Sequence, residues 1–137
     1  MINNAVLQEA IVTRLQTESS GYTILTNTDE IRAMYWAGRD FVYPCIRVGK
    51  FVQVPGERNL RCTTQNITFD VAAYTKDTSP KNCDTIIYEV TDTLHDKSFT
   101  LNAVKFSAIR VTLRSPIYFN GQIWISRANI SAQVQAE

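Results

Sequence analysis

The sequence predicts an α+β fold, a two-layer domain in which two helices pack on one face of a mainly antiparallel sheet. Isoleucine, valine and threonine make up 39 of the 137 residues, and these branched side chains favour strands over helices. Two segments nevertheless have apolar residues at helical spacing, while several others alternate between apolar and polar residues. Helices gathered on one side of an antiparallel sheet are typical of this class.

Length and composition indicate how many domains the chain forms and in which compartment the protein resides. The chain is 45% hydrophobic and 20% charged, as ordinary soluble domains are, so residues 1–137 are predicted to form one domain. A chain of this size buries roughly two thirds of its unfolded surface and folds without metal or disulfide. Three widely spaced cysteines, with no signal-like or membrane-spanning apolar run, predict a protein kept in a reducing cytoplasm.

Two helices are predicted by their apolar stripes. The first begins at a cap on Asn3 or Asn4 and ends near Gln16. The second follows a cap on Ser79 and has Pro80 at its first position. The predicted buried faces are Leu7, Ala10, Ile11 and Leu15 in the first helix and Cys83, Ile86, Ile87, Val90 and Leu94 in the second.

Turn residues delimit the strands of the first half. Gly21 is predicted to end the first helix in a left-handed turn. Pro44 starts a strand that continues to about Gln53, because a missing donor is tolerated at a strand start. The Pro55-Gly56 pair then predicts a turn over Val54–Asn59. The other strand candidates are Tyr22–Leu25 and Arg61–Thr75, the latter with Ile67, Phe69, Val71 and Ala73 on one face. Ile31–Trp36 fits a strand or one helical turn, and a strand is favoured.

Two long strands are predicted to close the chain, over Phe99–Leu113 and Gln122–Val134. Asn120-Gly121 between them is a strong hairpin signal. The apolar positions of the first strand change parity near Ala108, which predicts a β-bulge there or burial on both faces. The last residues, Ala132–Glu137, are expected to fray.

Charge is distributed unevenly along the chain, although the net charge is only +1. Residues 69–96 carry six acids against two lysines, whereas residues 97–136 carry five cations and no acid. The balanced total disfavours general binding to nucleic acid. The asymmetry fits either a solvated helix or self-association, in which the acidic layer of one subunit meets the basic hairpin of the next and closes a ring.

No motif reaches a catalytic constellation. The five glycines form no phosphate loop, which argues against nucleotide binding by that means. His95, beside Asp92 and Asp96, is interpreted as part of a solvated helix end rather than as a metal ligand or an acid-base group. Cys83 is interpreted as a small buried hydrophobe rather than a nucleophile, and Cys45 and Cys62 as buried or half-buried. We therefore expect no enzyme, no cofactor and no metal.

Two aromatic groups suggest contacts. Tyr35, Trp36, Phe41 and Tyr43 surround Arg39, which is typical of core and interface packing or of a stacking platform for bases or sugars. Three aromatic residues flank the Asn120-Gly121 turn, more than solubility requires, and predict contact with a partner protein. These three are Tyr118, Phe119 and Trp124.

With these elements in place, most of the chain resembles the tail terminator or tail completion proteins of long-tailed bacteriophages. The resemblance rests on the element order and on five stretches of sequence. These are the helix Asn3–Gln16, Ala33-Met34-Tyr35-Trp36 followed by Tyr43-Pro44-Cys45-Ile46-Arg47-Val48, the strand Asn66–Tyr74, the Ser79-Pro80 helix, and Ile123-Trp124-Ile125-Ser126-Arg127-Ala128.

The resemblance implies a structural virion protein at the junction of tail and neck, assembled in the host cytoplasm. Such subunits form a hexameric ring that caps the tail tube, stops its polymerisation and presents a surface for head joining. The implied partners are further copies of the chain, the major tail tube protein and the head-to-tail connector proteins. DNA passes through the lumen without sequence-specific binding, and no membrane is involved.

Interface residues are predicted within this framework. The segment Val54–Leu60, with Pro55, Gly56, Glu57 and Arg58, and the hairpin tip Ser115–Gln122, with Tyr118, Phe119 and Asn120, are expected to contact axial partners. Arg110, Arg114 and Arg127 are expected to pair with Asp84, Asp92 or Asp96 of the next subunit. The alternatives are a head-to-tail adaptor or stopper, a small ligand-binding domain or enzyme using Arg39 and His95, and a generic dimeric domain.

Overall fold

The structure, a computed structural model, describes residues 3–25, 30–34, 43–59 and 62–136, and the side chains of all of these except 55–59 and 62–63. The described residues form two α-helices, a short 3₁₀ helix and seven strands. In chain order these are α1 (Asn4–Glu18), the 3₁₀ helix (Ser19–Gly21), β1 (Ile31–Ala33), β2 (Cys45–Asn59), β3 (Cys62–Thr75), α2 (Lys81–Leu94), β4 (Phe99–Leu101), β5 (Val104–Arg114), β6 (Tyr118–Phe119) and β7 (Trp124–Ala136).

One sheet contains all seven strands, in the order β1-β2-β3-β7-β5-β4, with β6 paired to the start of β7. Only β1 and β2 run parallel, and every other pair is antiparallel. Both helices contribute to a single apolar core with one face of this sheet. The α+β class predicted from the sequence is confirmed. No helix among the described residues is long and apolar enough to cross a membrane.

Helix α1 begins at the predicted cap but does not end in the predicted turn. The Asn3 side chain accepts the Ala5 N–H at 2.8 Å, and the four predicted core residues are all fully buried. The left-handed turn predicted at Gly21 is wrong, because the chain tightens into a 3₁₀ turn there. Tyr22 and Leu25 belong to no strand, contrary to prediction. Their side chains are buried because they fill the core beside the helices.

Strand β1 is held in place by a buried arginine. Arg47 of β2 is 1% exposed, and its Nη1 donates to the carbonyl oxygens of Glu30 and Ile46, each at 2.9 Å. A buried charge is tolerated only when it is hydrogen-bonded. Of the stretch Ile31–Trp36, for which a strand is favoured, residues Ile31–Ala33 form strand β1. The part of the stretch after Met34 lies outside the described residues.

The turn predicted over Val54–Asn59 is wrong. Strand β2 continues through this segment to Asn59, which pairs with Cys62. The register of the β2–β3 pairing shifts between Pro55 and Arg58. Pro55 has no backbone N–H to donate, and this irregularity accommodates it within the strand. Strand β3 pairs antiparallel with β2 and has the predicted four apolar residues facing the core.

The predicted strand Phe99–Leu113 is split into β4 and β5 by a turn at Asn102 and Ala103, both with positive φ. The bulge predicted near Ala108 is confirmed, since Ala108 has φ of 49° and the β5 register shifts between Ser107 and Arg110. Fraying after Ala132 is wrong, because β7 pairs with β3 on one side and β5 on the other almost to its end.

Helix α2 has the predicted stripe buried against β3, β7 and β5. It starts one residue later than predicted, and the Ser79 hydroxyl accepts the Lys81 N–H at 3.3 Å. The Cys83 thiol donates to the Ala73 carbonyl oxygen at 3.5 Å, which fixes the helix over the centre of the sheet.

Gly49→Ala is expected to lower the free energy of unfolding by about 1–3 kcal/mol. A methyl group at Gly49 would stand 2.6 Å from the Met34 Cβ, so the backbone that follows β1 must shift. Gly21→Ala is the matched control, since a methyl group there meets nothing within 4 Å. Urea unfolding of both variants checks this, and equal stability of the two would contradict the close approach.

Candidate interaction surfaces

Most of the charges expected to join subunits are paired inside one chain. The Arg114 and Asp84 side chains approach to 3.0 Å, and so do those of Arg110 and Asp96. Arg127 lies 3.9 Å from Asp70. The acidic helix and the basic strand β5 are therefore already neighbours within the fold, and their ionic contacts with a second subunit stay a prediction. Asp92 is exposed and has no ion pair with a described residue.

His95 joins the end of α2 to the irregular part of β5. Its Nδ1 accepts the Val111 N–H at 3.0 Å, and its Nε2 lies 3.4 Å from an Asp96 carboxylate oxygen. The Asp96 N–H donates to the Ile109 carbonyl oxygen at 2.9 Å. The bulge exposes backbone groups at this strand edge, and the helix end satisfies them. His95 thus has a structural role that its position at a solvated helix end did not reveal.

The cysteines described with their side chains lie in apolar surroundings. Cys45 and Cys83 are fully buried, as predicted, and burial raises the pKa of Cys45 to about 12 and that of Cys83 to about 11. A thiol with such a pKa stays protonated at neutral pH and is a poor nucleophile. The Cys62 side chain lies outside the described set. Within the described residues, no group of three acids, histidines or cysteines is placed to hold a metal ion.

The hairpin between β6 and β7 presents the aromatic surface that the sequence predicted. Tyr118 is 46% exposed and Phe119 is 51% exposed. The Phe119 ring packs on Trp124 at 4.9 Å between centroids, and the Trp124 indole donates to the Asp77 carbonyl oxygen. Asn120 Oδ1 accepts two backbone N–H groups of the turn, and Gly121 has φ of +99°. The tip is therefore a rigid turn carrying exposed rings.

The other predicted contact segment, Val54–Leu60, is only partly described by the structure. Residues 55–58 lie in β2, and their side chains are outside the described set, as are residues 35–42 of the predicted aromatic cluster. Of that cluster, Tyr43 is described, with the Lys76 ammonium 5.5 Å from its ring centroid.

An exposed aromatic residue on α2 was not predicted. Tyr88 is 58% exposed and stands between two shallow depressions of about 300 and 260 Å³. Both depressions also include Asp92, one helical turn further on. The available signal was a tyrosine on the otherwise polar face of an amphipathic helix. Tyr88 and Asp92 are named here the Tyr88 ridge.

The described surfaces carry exposed rings, charges and shallow depressions. The described cysteine side chains are buried, and His95 is engaged in holding the fold. A family model described as tail completion protein gp17 matches residues 9–118, so the chain belongs to that family of structural phage tail proteins, which are not enzymes. The resemblance inferred from the sequence is confirmed.

Comparison of structures agrees with this family at the level of the fold. A chain in the virion of a native gene transfer agent particle superposes with a TM-score of 0.72 at 11% sequence identity, over 97% of each chain. No curated protein matches the sequence of this chain.

The buried thiols give a direct test of the core around β2 and α2. In a Cys62→Ser variant at about pH 8, where an exposed cysteine is partly ionised, the folded protein should react with no thiol reagent. Burial and the raised pKa values of Cys45 and Cys83 are the reason. The same variant in urea should label both cysteines, and rapid labelling of the folded protein would show that the packing is wrong.

The Arg114–Asp84 pair should contribute little to stability. Both side chains are far from buried, at 40% and 60% exposure, so solvent screens their attraction. Asp84→Asn and Arg114→Gln should each lower the free energy of unfolding by at most about 1 kcal/mol. Asp92→Asn, without an ion pair to lose, is the control in chemical denaturation. A loss several times larger for the paired residues alone would mean that this contact anchors α2.

Proposed function

We propose that this protein is a tail terminator. It forms a hexameric ring on the head-proximal end of the tail tube, stops tube polymerisation and offers a surface to the head-to-tail connector proteins. Membership of the tail completion family carries the proposal. The fold shared with a chain of a gene transfer agent virion supports a place in a virion. The ring assembles in the host cytoplasm, and DNA passes through its lumen without sequence-specific binding.

The strand register supports two axial contacts at opposite ends of the subunit. Tyr118 pairs with Ile125, close to the Thr75–Trp124 end of the sheet. Pro55 pairs with Gln65, close to the Thr64–Gln135 end. Strand β3 joins these ends and spans about 40 Å at the usual rise per residue. The hairpin tip and the Pro55–Arg58 segment therefore lie near opposite ends of the sheet.

A subunit with unlike ends suits a terminator. Capping requires one surface that binds the tube end and another that does not repeat the polymerising surface of the tube. Heterologous contacts between asymmetric subunits close into a ring when the rotation permits, and the ring then keeps its two ends distinct. The half-exposed rings of Tyr118 and Phe119 have the composition of an interface centre.

Polymerising tube protein in the presence of the purified protein tests this function. Tubes should become shorter and carry a ring at one end in electron micrographs. A Tyr118→Ser, Phe119→Ser variant should fold normally and cap at least about tenfold less well, because exposed aromatic anchors dominate interface energies. Leu113→Ser, at 55% exposure and outside both axial segments, is the matched control.

A different result would redirect the assignment. If the protein leaves tube length unchanged but binds purified connector complexes, it is a head-to-tail adaptor or stopper instead. A strictly two-fold complex without effect on tubes would contradict ring formation altogether.

A further inference from the structure

The Tyr88 ridge is an unpartnered part of the helical layer with an acidic border. Its two depressions are bordered by the carboxylates of Glu18, Glu89 and Asp92 and by one cation, Arg114. Arg114 is held by Asp84, and the nearby Arg14 is held by Glu18 at 3.5 Å. Glu89 accepts the Thr23 hydroxyl and N–H. Asp92 therefore remains as the exposed charge beside the Tyr88 ring.

The opposite face of the sheet has the opposite charge. Lys105 lies between the buried residues Val104 and Phe106, and Arg127 lies between the buried residues Ser126 and Ala128, so both point away from the helices. Lys50 is on the same face, where it approaches Asp70 at 4.0 Å. This outer sheet face carries the cations Lys50, Lys105, Arg110 and Arg127 and the acid Asp70, and Arg110 is paired with Asp96 from the end of α2. Arg32 and the buried Arg47 belong to the same row of the sheet as Arg127.

Strand β2 contributes the exposed apolar side chains of Val52 and Val54 to the outer sheet face, where they pair with Thr68 and Asn66. Neutral polar side chains occupy the neighbouring strands. They follow the paired rows of β3, β7 and β5, and a depression of about 450 Å³ lies among them. They are Thr64, Asn66, Thr68, Thr112, Asn129, Ser131, Gln133 and Gln135. Such a surface supplies hydrogen-bond partners and attracts an acidic partner.

We infer that the Tyr88 ridge of one subunit docks on the outer sheet face of the next copy, near Lys105. This inference rests on the proposed ring and names its subunit contact. An aromatic ring flanked by carboxylates favours cations, through attraction to the ring face and to the charges. The outer sheet face supplies those cations, and Lys105 has no ion pair with a described residue.

The placement of the two surfaces favours a second copy over a nucleic acid. A polyanion suits the outer sheet face but leaves the Tyr88 ridge without a partner, whereas another copy of this chain complements both. Because the surfaces lie on opposite layers of the domain, the contact is head-to-tail, and repetition of it closes into a ring when the rotation permits. One such contact between two copies leaves one surface of each kind free, so further copies can add.

Charge reversal with cross-mixing tests the contact. Asp92→Lys and Lys105→Glu should each weaken self-association by about tenfold or more, because like charges then meet across the interface. Mixed in equal amounts, the two variants should assemble to within about threefold of the wild type, since every contact in an alternating ring then pairs opposite charges. Sedimentation velocity at low salt measures all three samples.

Matched controls carry the same charge changes elsewhere. Glu9→Lys on α1 and Lys81→Glu at the start of α2, both at exposed positions, should leave assembly unchanged. Circular dichroism confirms that each variant is folded, and recovery in the mixture excludes misfolding as the cause of a loss.

The remaining outcomes overturn the inference and separate it from the function. If both single variants assemble and cap tubes like the wild type, the contact is wrong and the terminator proposal stands. If Lys105→Glu reduces binding of duplex DNA and leaves assembly intact, the outer sheet face is a nucleic-acid surface instead. A wild-type chain that neither assembles nor caps tubes refutes the contact and the proposed function together.

Discussion

The fold depends on β3, which is paired along nearly its whole length on both sides. Because β2 and β7 occupy its two edges, its side chains alternate between the core under the helices and the outer sheet face. A shift of one residue would turn Ile67, Phe69, Val71 and Ala73 outwards. The register of this strand therefore fixes the core, the placement of both helices and the distance between the two ends of the subunit.

The departures from regular structure are concentrated in β2 and in β5, whose residues after Phe106 lie beyond the end of the edge strand β4. The bulge at Ala108 lets β5 keep apolar residues on the core side after its parity changes. The same bulge frees backbone groups that His95 and Asp96 satisfy from the end of α2. The only histidine of the chain is thus explained by the needs of a strand edge.

The described residues offer a partner an exposed surface more than reactive groups. The thiols of Cys45 and Cys83 are buried and protonated, and several of the described charges are paired within the chain, so the described surface offers shape, exposed rings and a few unpaired charges. Membership of a family of structural tail proteins is consistent with this surface. Polar and basic residues on one layer, with an acidic ridge on the other, make the two layers of the domain unlike, as the proposed ring contact needs.

The sequence by itself determined the fold class, both helices with their buried stripes, the core face of β3, the bulge in β5 and the aromatic hairpin tip. Each of these depends on local periodicity or turn chemistry, which neighbouring residues encode. Only the tertiary structure decided that β2 runs through Pro55-Gly56, that the acidic and basic charges pair within one chain, and that Tyr88 and Lys105 lie on opposite layers. Those outcomes depend on which strands become neighbours, and pairing between residues distant in sequence leaves no local pattern.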